Sequence, residues 1–274
     1  MKKPIMMLLK RICLKDNGYI KIDSLEINIC NMKYLPLLLV FVSSFLFSQK
    51  SGKITYKSYF AHVQATEELK ESNRMRYQEA LDEEMMAKML RFSLDFNENE
   101  SLFYLSESLI SDAESKSVRA YVTGLFYGMD KFYLNRATDE LVEQLYYSFA
   151  ILLRTKKASF IDWNLTNETK NINGYTCYKA TYTYIQKWKG REFPWPVIAW
   201  YCPEIPVSLG PIRYSGLPGL ILELQEQEVG YIVEKIEFLD KEIPIEKPTE
   251  GEDLKDEDII KKDNKVKREL LNQE

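Results

Sequence analysis

The sequence predicts a mainly β, α+β fold: a curved, many-stranded antiparallel sheet or a sandwich, with one amphipathic helix near the start of the mature chain. Three observations lead there. Short runs of period-two alternation recur from residue 53 to residue 239. A single stretch switches to helical period, and the helices that a parallel βαβ order needs between its strands are missing.

The first strand is expected at 53–60, with Ile54, Tyr56 and Phe60 on one face. From 66 to 90 the residues Leu69, Tyr77, Leu81, Met85 and Met89 recur at multiples of four between Glu and Lys, which is the amphipathic helix. Its Met75, Met85, Met86 and Met89 suit an adaptable ligand groove, although packing on the sheet is the expected role. Strands at 91–96 and 101–105 flank the polar turn Asn97-Glu98-Asn99-Glu100. Further strands are expected at 119–127, 131–135, 142–153, 161–171, 175–187, 197–202, 220–225 and 231–239. Within 142–153 the residues Leu145, Tyr147, Phe149, Ile151 and Leu153 share one face.

Ahead of these elements lies a different kind of segment. Lys33 precedes the apolar run 35–47, LPLLLVFVSSFLF, which has the length of a signal-peptide h-region and falls short of the roughly 20 residues a membrane span needs. Translation is expected to start at Met32 and cleavage to fall between Ser48 and Gln49, so that 1–31 is a non-native upstream extension, 32–48 a signal peptide and 49–245 a single β-rich domain. Residues 246–274, dominated by Lys, Asp and Glu, form a charged tail. No transmembrane anchor is expected in the mature chain, and export through a cleaved signal peptide follows.

Composition excludes several functions. The net charge is -4, and removing residues 1–48, with seven basic and three acidic side chains, takes it to about -8. An acidic chain lacks the basic surface that nucleic acid requires. His62 is the only histidine, so a multi-histidine metal site cannot be built, and no metal or cofactor is expected.

Cys177 and Cys202 are the cysteines left in the mature chain. A hairpin turning at Lys189-Gly190 would set them opposite each other, and in an oxidising compartment that pairing favours a disulfide. Farther on, the run GPIRYSGLPGLILEL begins at Gly210. Its Pro218-Gly219 suits the centre of a type II turn leading into the buried strand Leu220-Ile221-Leu222, and Gly210-Pro211 with Gly216 restrict the approach, so that a stiff loop is held against the core.

Residues 216–221, GLPGLI, together with WNLTNETKNINGYTC from Trp163, Tyr178-Lys179-Ala180 and AWYCPEIP from Ala199, resemble the GLPGLI family of exported Gram-negative proteins. The resemblance implies a mainly β protein of uncharacterised function, periplasmic or outer-membrane-associated, and brings no catalytic residues with it. Two functions are weighed. The first is a non-enzymatic protein that binds an envelope partner or an apolar ligand, with Arg213, Tyr214 and Leu217 presented on the stiff loop and Trp195 as an apolar anchor between two prolines; the run reads equally as a folding device, with Gly219 needed for the turn and Leu220 and Leu222 for the core. The second is a hydrolase using the carboxylates Glu204 and Glu223 that flank the loop.

Overall fold

The computed structural model describes residues 13–15, 19–22, 25–28, 51–108, 116–147, 150–158, 161–188 and 191–253, and the chain divides into two units, Met1–Ser48 and Gln49–Glu274. In the first unit, β1 (Cys13–Lys15), β2 (Tyr19–Ile22) and β3 (Leu25–Asn28) form an antiparallel meander. The predicted signal segment and most of the charged tail lie outside the described residues.

The second unit is built on one 12-stranded sheet. Its strands are β4 (Ser51–Phe60), β5 (Leu90–Phe96), β6 (Glu100–Ser108), β7 (Lys131–Asn135), β8 (Glu140–Tyr147), β9 (Ala150–Lys157), β10 (Asn164–Ile172), β11 (Tyr175–Trp188), β12 (Arg191–Cys202), β13 (Leu220–Glu226), β14 (Val229–Leu239) and β15 (Glu252–Asp253). The spatial order is β10-β11-β12-β13-β14-β4-β5-β6-β7-β8-β9-β15. It consists of two meanders, β4 to β9 and β10 to β14, joined where β14 pairs antiparallel with β4. Only the short β15 runs parallel to its neighbour, β9.

This order has a geometric consequence. β9 and β10 follow each other in sequence but stand ten strand spacings apart in the sheet. A flat sheet would separate them by about 48 Å at about 4.8 Å per spacing. The link from Lys157 to Asn164 reaches at most about 25 Å even when fully extended. The sheet therefore curls until its two ends approach, and the mainly β, curved antiparallel architecture is the one the sequence predicts.

The curled sheet encloses an aromatic core. Phe92 and Phe103 stack at 5.4 Å, and Tyr231 meets both edge-on while its hydroxyl donates to the Phe126 carbonyl at 2.9 Å. One row of paired residues crosses six strand boundaries: Ile236, Ile54, Leu94, Phe103, Phe132, Glu143 and Arg154. It is apolar until its last two members, which are an acid and a base.

Three helices are present among the described residues, where the sequence predicts one. The helical stretch is two pieces, α1 (Glu67–Ser72), capped by Thr66, and α2 (Arg74–Met89), capped by Asn73. The buried face of α2 is Ala80, Glu83, Met86 and Ala87, one step round from the predicted stripe. Met75 and Met85 are exposed, so the four methionines do not line a common groove. α3 (Lys116–Leu125) replaces the strand predicted at 119–127. Its β-branched and aromatic residues suggest a strand, but Val118, Val122 and Phe126 recur every four residues and pack on the core as a helix. The strand predicted at 142–153 is two strands, β8 and β9, with Leu145 facing Leu152 across the hairpin.

Candidate functional site

The segment between β12 and β13 contains the GLPGLI run, and backbone hydrogen bonds hold it at both ends. Leu220 N donates to Ile205 O at 3.0 Å and Ile221 N to Leu209 O at 2.9 Å. In the middle, Ser208 Oγ donates to Leu217 O at 2.6 Å and Trp163 Nε1 to Ser215 O at 2.9 Å. Ile205, Val207, Leu209, Ile212, Tyr214 and Leu217 are all buried. The segment is therefore a plug within the curl rather than an exposed loop.

Several predicted site residues consequently stand elsewhere than expected. Leu217 is buried in the core and Tyr214 is only 3% exposed. Arg213 is half-buried. Trp195 lies within β12, paired with Tyr184 and half-buried, because the strand runs straight through both prolines. The turn differs as well: Gly219 N donates to Leu217 O at 2.8 Å, while Leu220 N bonds elsewhere, so Pro218 centres a three-residue turn rather than a type II turn. Gly216 and Gly219 both take positive φ, +88° and +150°.

The β11–β12 register is the one the cysteine argument requires, running from Tyr178 opposite Tyr201 to Trp188 opposite Arg191. Cys177 and Cys202 are nevertheless both free, fully buried thiols, and the predicted disulfide is not formed. Burial, together with the neighbouring Cys202, pushes the Cys177 thiol up to about 12. Of the two carboxylates weighed for hydrolysis, Glu204 lies exposed in the turn after β12. Glu223 accepts from Tyr59 at 2.7 Å and pairs with Lys170.

The structure assembles a different ionic cluster, centred on Glu143. This side chain is fully buried on β8 and meets three cations. Arg154, its partner across the hairpin, donates from Nε at 2.5 Å; Arg213 Nε stands 3.1 Å away and Lys156 Nζ 3.5 Å away. Burial opposes the charge on Glu143, but Arg213, Arg154 and Lys156 together outweigh it and hold the carboxyl below its usual range. Arg213 also stands 3.9 Å from Glu226, which accepts the Tyr214 hydroxyl at 2.8 Å. The Arg213 guanidinium lies over the rings of Phe132 and Tyr127, at 5.3 and 5.7 Å. Its backbone approach is constrained too, because the preceding Ile212 has φ +59°, an unfavourable conformation for a β-branched residue. Asp130 completes the surroundings; it accepts from Tyr146 N at 2.7 Å, and burial pushes it up to about 6.

Beside this cluster is a cavity of about 110 Å3 where the two ends of the sheet meet the plug. One wall is the row Leu134, Leu141 and Lys156 on β7, β8 and β9. The opposite wall is Tyr182 and Tyr184 on β11, and Arg213, Tyr214 and Ser215 close it. Tyr184 is 41% exposed, so the cavity opens to solvent there. Trp163 packs between Tyr182 and Tyr214, at 5.9 and 6.0 Å, and ties the β10 end to the plug.

Sequence reasoning reached Arg213 and Tyr214 but missed Glu143, Arg154, Lys156 and Glu226. The β8–β9 register sets Glu143 opposite Arg154 and Leu141 opposite Lys156, a pairing that the continuous alternation of 142–153 conceals. Among the described residues no three His, Cys, Asp or Glu side chains converge as metal ligands would, and no helix is long and apolar enough to cross a membrane.

A family described as a protein of unknown function (Porph_ging) matches residues 187–223, which run from the end of β11 into β13. No curated protein matches the sequence. Among solved structures the chain is similar to PNGF-II in two crystal forms, each at 15% identity, with TM-scores of 0.39 and 0.41. The similarity covers 72% and 78% of this chain but only 29% and 32% of PNGF-II, so the chain spans about a third of that protein.

Proposed function

We propose that this chain is an exported cell-envelope protein of the GLPGLI kind that works by binding, and that its site is the cavity between the two ends of the curled sheet. The observation that carries this reading is the construction of that cavity. Its walls come from β7 to β9, β11 and the plug, segments brought together only by the curl, and a buried ionic cluster holds one wall rigid. A preformed, largely apolar cavity with a few polar groups is the usual form of a small-ligand site. The hydrolase reading finds less support, because Glu223 is committed to Tyr59 and Lys170. Export is supported by the apolar run 35–47 and by the resemblance of the GLPGLI segment.

Two measurements test this reading. N-terminal sequencing of the protein recovered from cells should begin at Gln49, and recovery of intact Met1 would overturn export. Calorimetric titration with benzyl alcohol, a neutral ring-sized probe, should show saturable binding that Leu141→Trp abolishes by filling the cavity and Leu141→Met preserves. Absence of binding, or binding indifferent to Leu141→Trp, would overturn the cavity as the site.

A further inference from the structure

The cavity wall is chemically asymmetric. Both charged groups that line it, Lys156 and Arg213, are cations, whereas the carboxylates that partner them, Glu143 and Glu226, are not part of the wall. These internal partners leave donor capacity unused. Arg213 Nε is buried beside Glu143 without hydrogen-bond geometry, and the contact of Arg213 with Glu226, at 3.9 Å, is too long to be a hydrogen bond. Lys156 Nζ approaches Glu143 only at 3.5 Å while keeping 34% of its side chain exposed. An ammonium has three donors, and among the described residues at most one of them is occupied here.

Resting on the reading of this cavity as the binding site, we propose that its ligand is a small monocarboxylate with a single ring-sized apolar body. The carboxylate lies against Lys156 Nζ and the Arg213 guanidinium, and the apolar body lies against Leu134, Leu141 and Tyr182. Size sets the body: an apolar cavity of about 150 Å3 holds a benzene ring, so about 110 Å3 takes one branched side chain, or one ring that extends into the open mouth beside Tyr184, and no lipid chain. Charge sets the head group. Arg154, Lys156 and Arg213 face Glu143 and Glu226, with Asp130 nearby, so a monoanion is accommodated whereas a dianion meets repulsion from the carboxylates behind the wall. A free acid and the C-terminal carboxylate of a peptide share this chemistry.

Calorimetric titration of the folded protein with phenylacetate, its neutral counterpart phenylacetamide, and N-acetylphenylalanine tests the proposal. Phenylacetate should bind about ten- to a hundred-fold more tightly than phenylacetamide, the range expected for hydrogen bonds to a charged group. Lys156→Gln should remove most of that preference by weakening phenylacetate far more than phenylacetamide, and Lys156→Arg should restore it. Raising salt from about 0.05 to about 0.5 M should weaken phenylacetate alone, which reads the same interaction without a variant. Binding of N-acetylphenylalanine as tight as that of phenylacetate assigns the site to a peptide C-terminus, and weaker binding assigns it to a free acid. Equal affinity for acid and amide would overturn the carboxylate while leaving the cavity as a site. Binding of none of the three would overturn the cavity reading itself.

Discussion

At the scale of single residues, the structure places charge where burial opposes it and then compensates with neighbours. Glu143 is the fully compensated case, one buried carboxylate held by three cations. Asp130 is the incompletely compensated one. Its folded value of about 6 lies above the ordinary carboxylate value of 3.8, so the native state binds the proton more tightly than the unfolded chain. The stability this contributes is complete below about pH 4 and is lost as pH rises toward 6. Asp130→Asn, which keeps the acceptor for Tyr146 N, should therefore raise stability at pH 7 by about 1–2 kcal/mol and change it little at pH 4. Urea melts of both proteins at the two pH values check this, and equal effects at both would contradict the assignment.

At the scale of elements, the two glycines of the GLPGLI run separate conformational need from space. A Cβ on Gly219 would lie 2.1 Å from the Cys202 carbonyl oxygen, whereas one on Gly216 would meet nothing within 4 Å. Gly216→Ala then costs only the positive φ, about 1 kcal/mol. Gly219→Ala must also push β13 away from the end of β12, and at least about 3 kcal/mol is expected. Thermal melting of the two variants checks the ranking. Most strands were legible because alternation and turn residues are local signals. α3 was not, because its β-branched residues obscured the four-residue recurrence of Val118, Val122 and Phe126. The Glu143–Arg154 pair was hidden for a related reason: 142–153 alternates so regularly that the turn inside it left no Gly, Pro or Asn to mark it.

At the scale of the whole molecule, a short link between strands at opposite ends of one sheet forces the curl, and the curl makes the cavity. Nothing local in the sequence states that β14 pairs with β4, on which the whole order depends. The GLPGLI run was legible as a rigid segment but not as a buried plug, since its burial depends on that same long-range closure. Arg213 shows the difference: its rigidity serves an internal ion cluster and a cavity wall instead of an exposed contact surface. The central claim is that the site lies where the ends of the sheet meet. Amide chemical-shift mapping during titration with benzyl alcohol and phenylacetate tests it most directly. The shifts should cluster at Leu134, Leu141, Lys156, Tyr182 and Ser215, on both ends of the sheet and on the plug at once; shifts confined to one end, to the outer face, or absent altogether would contradict it.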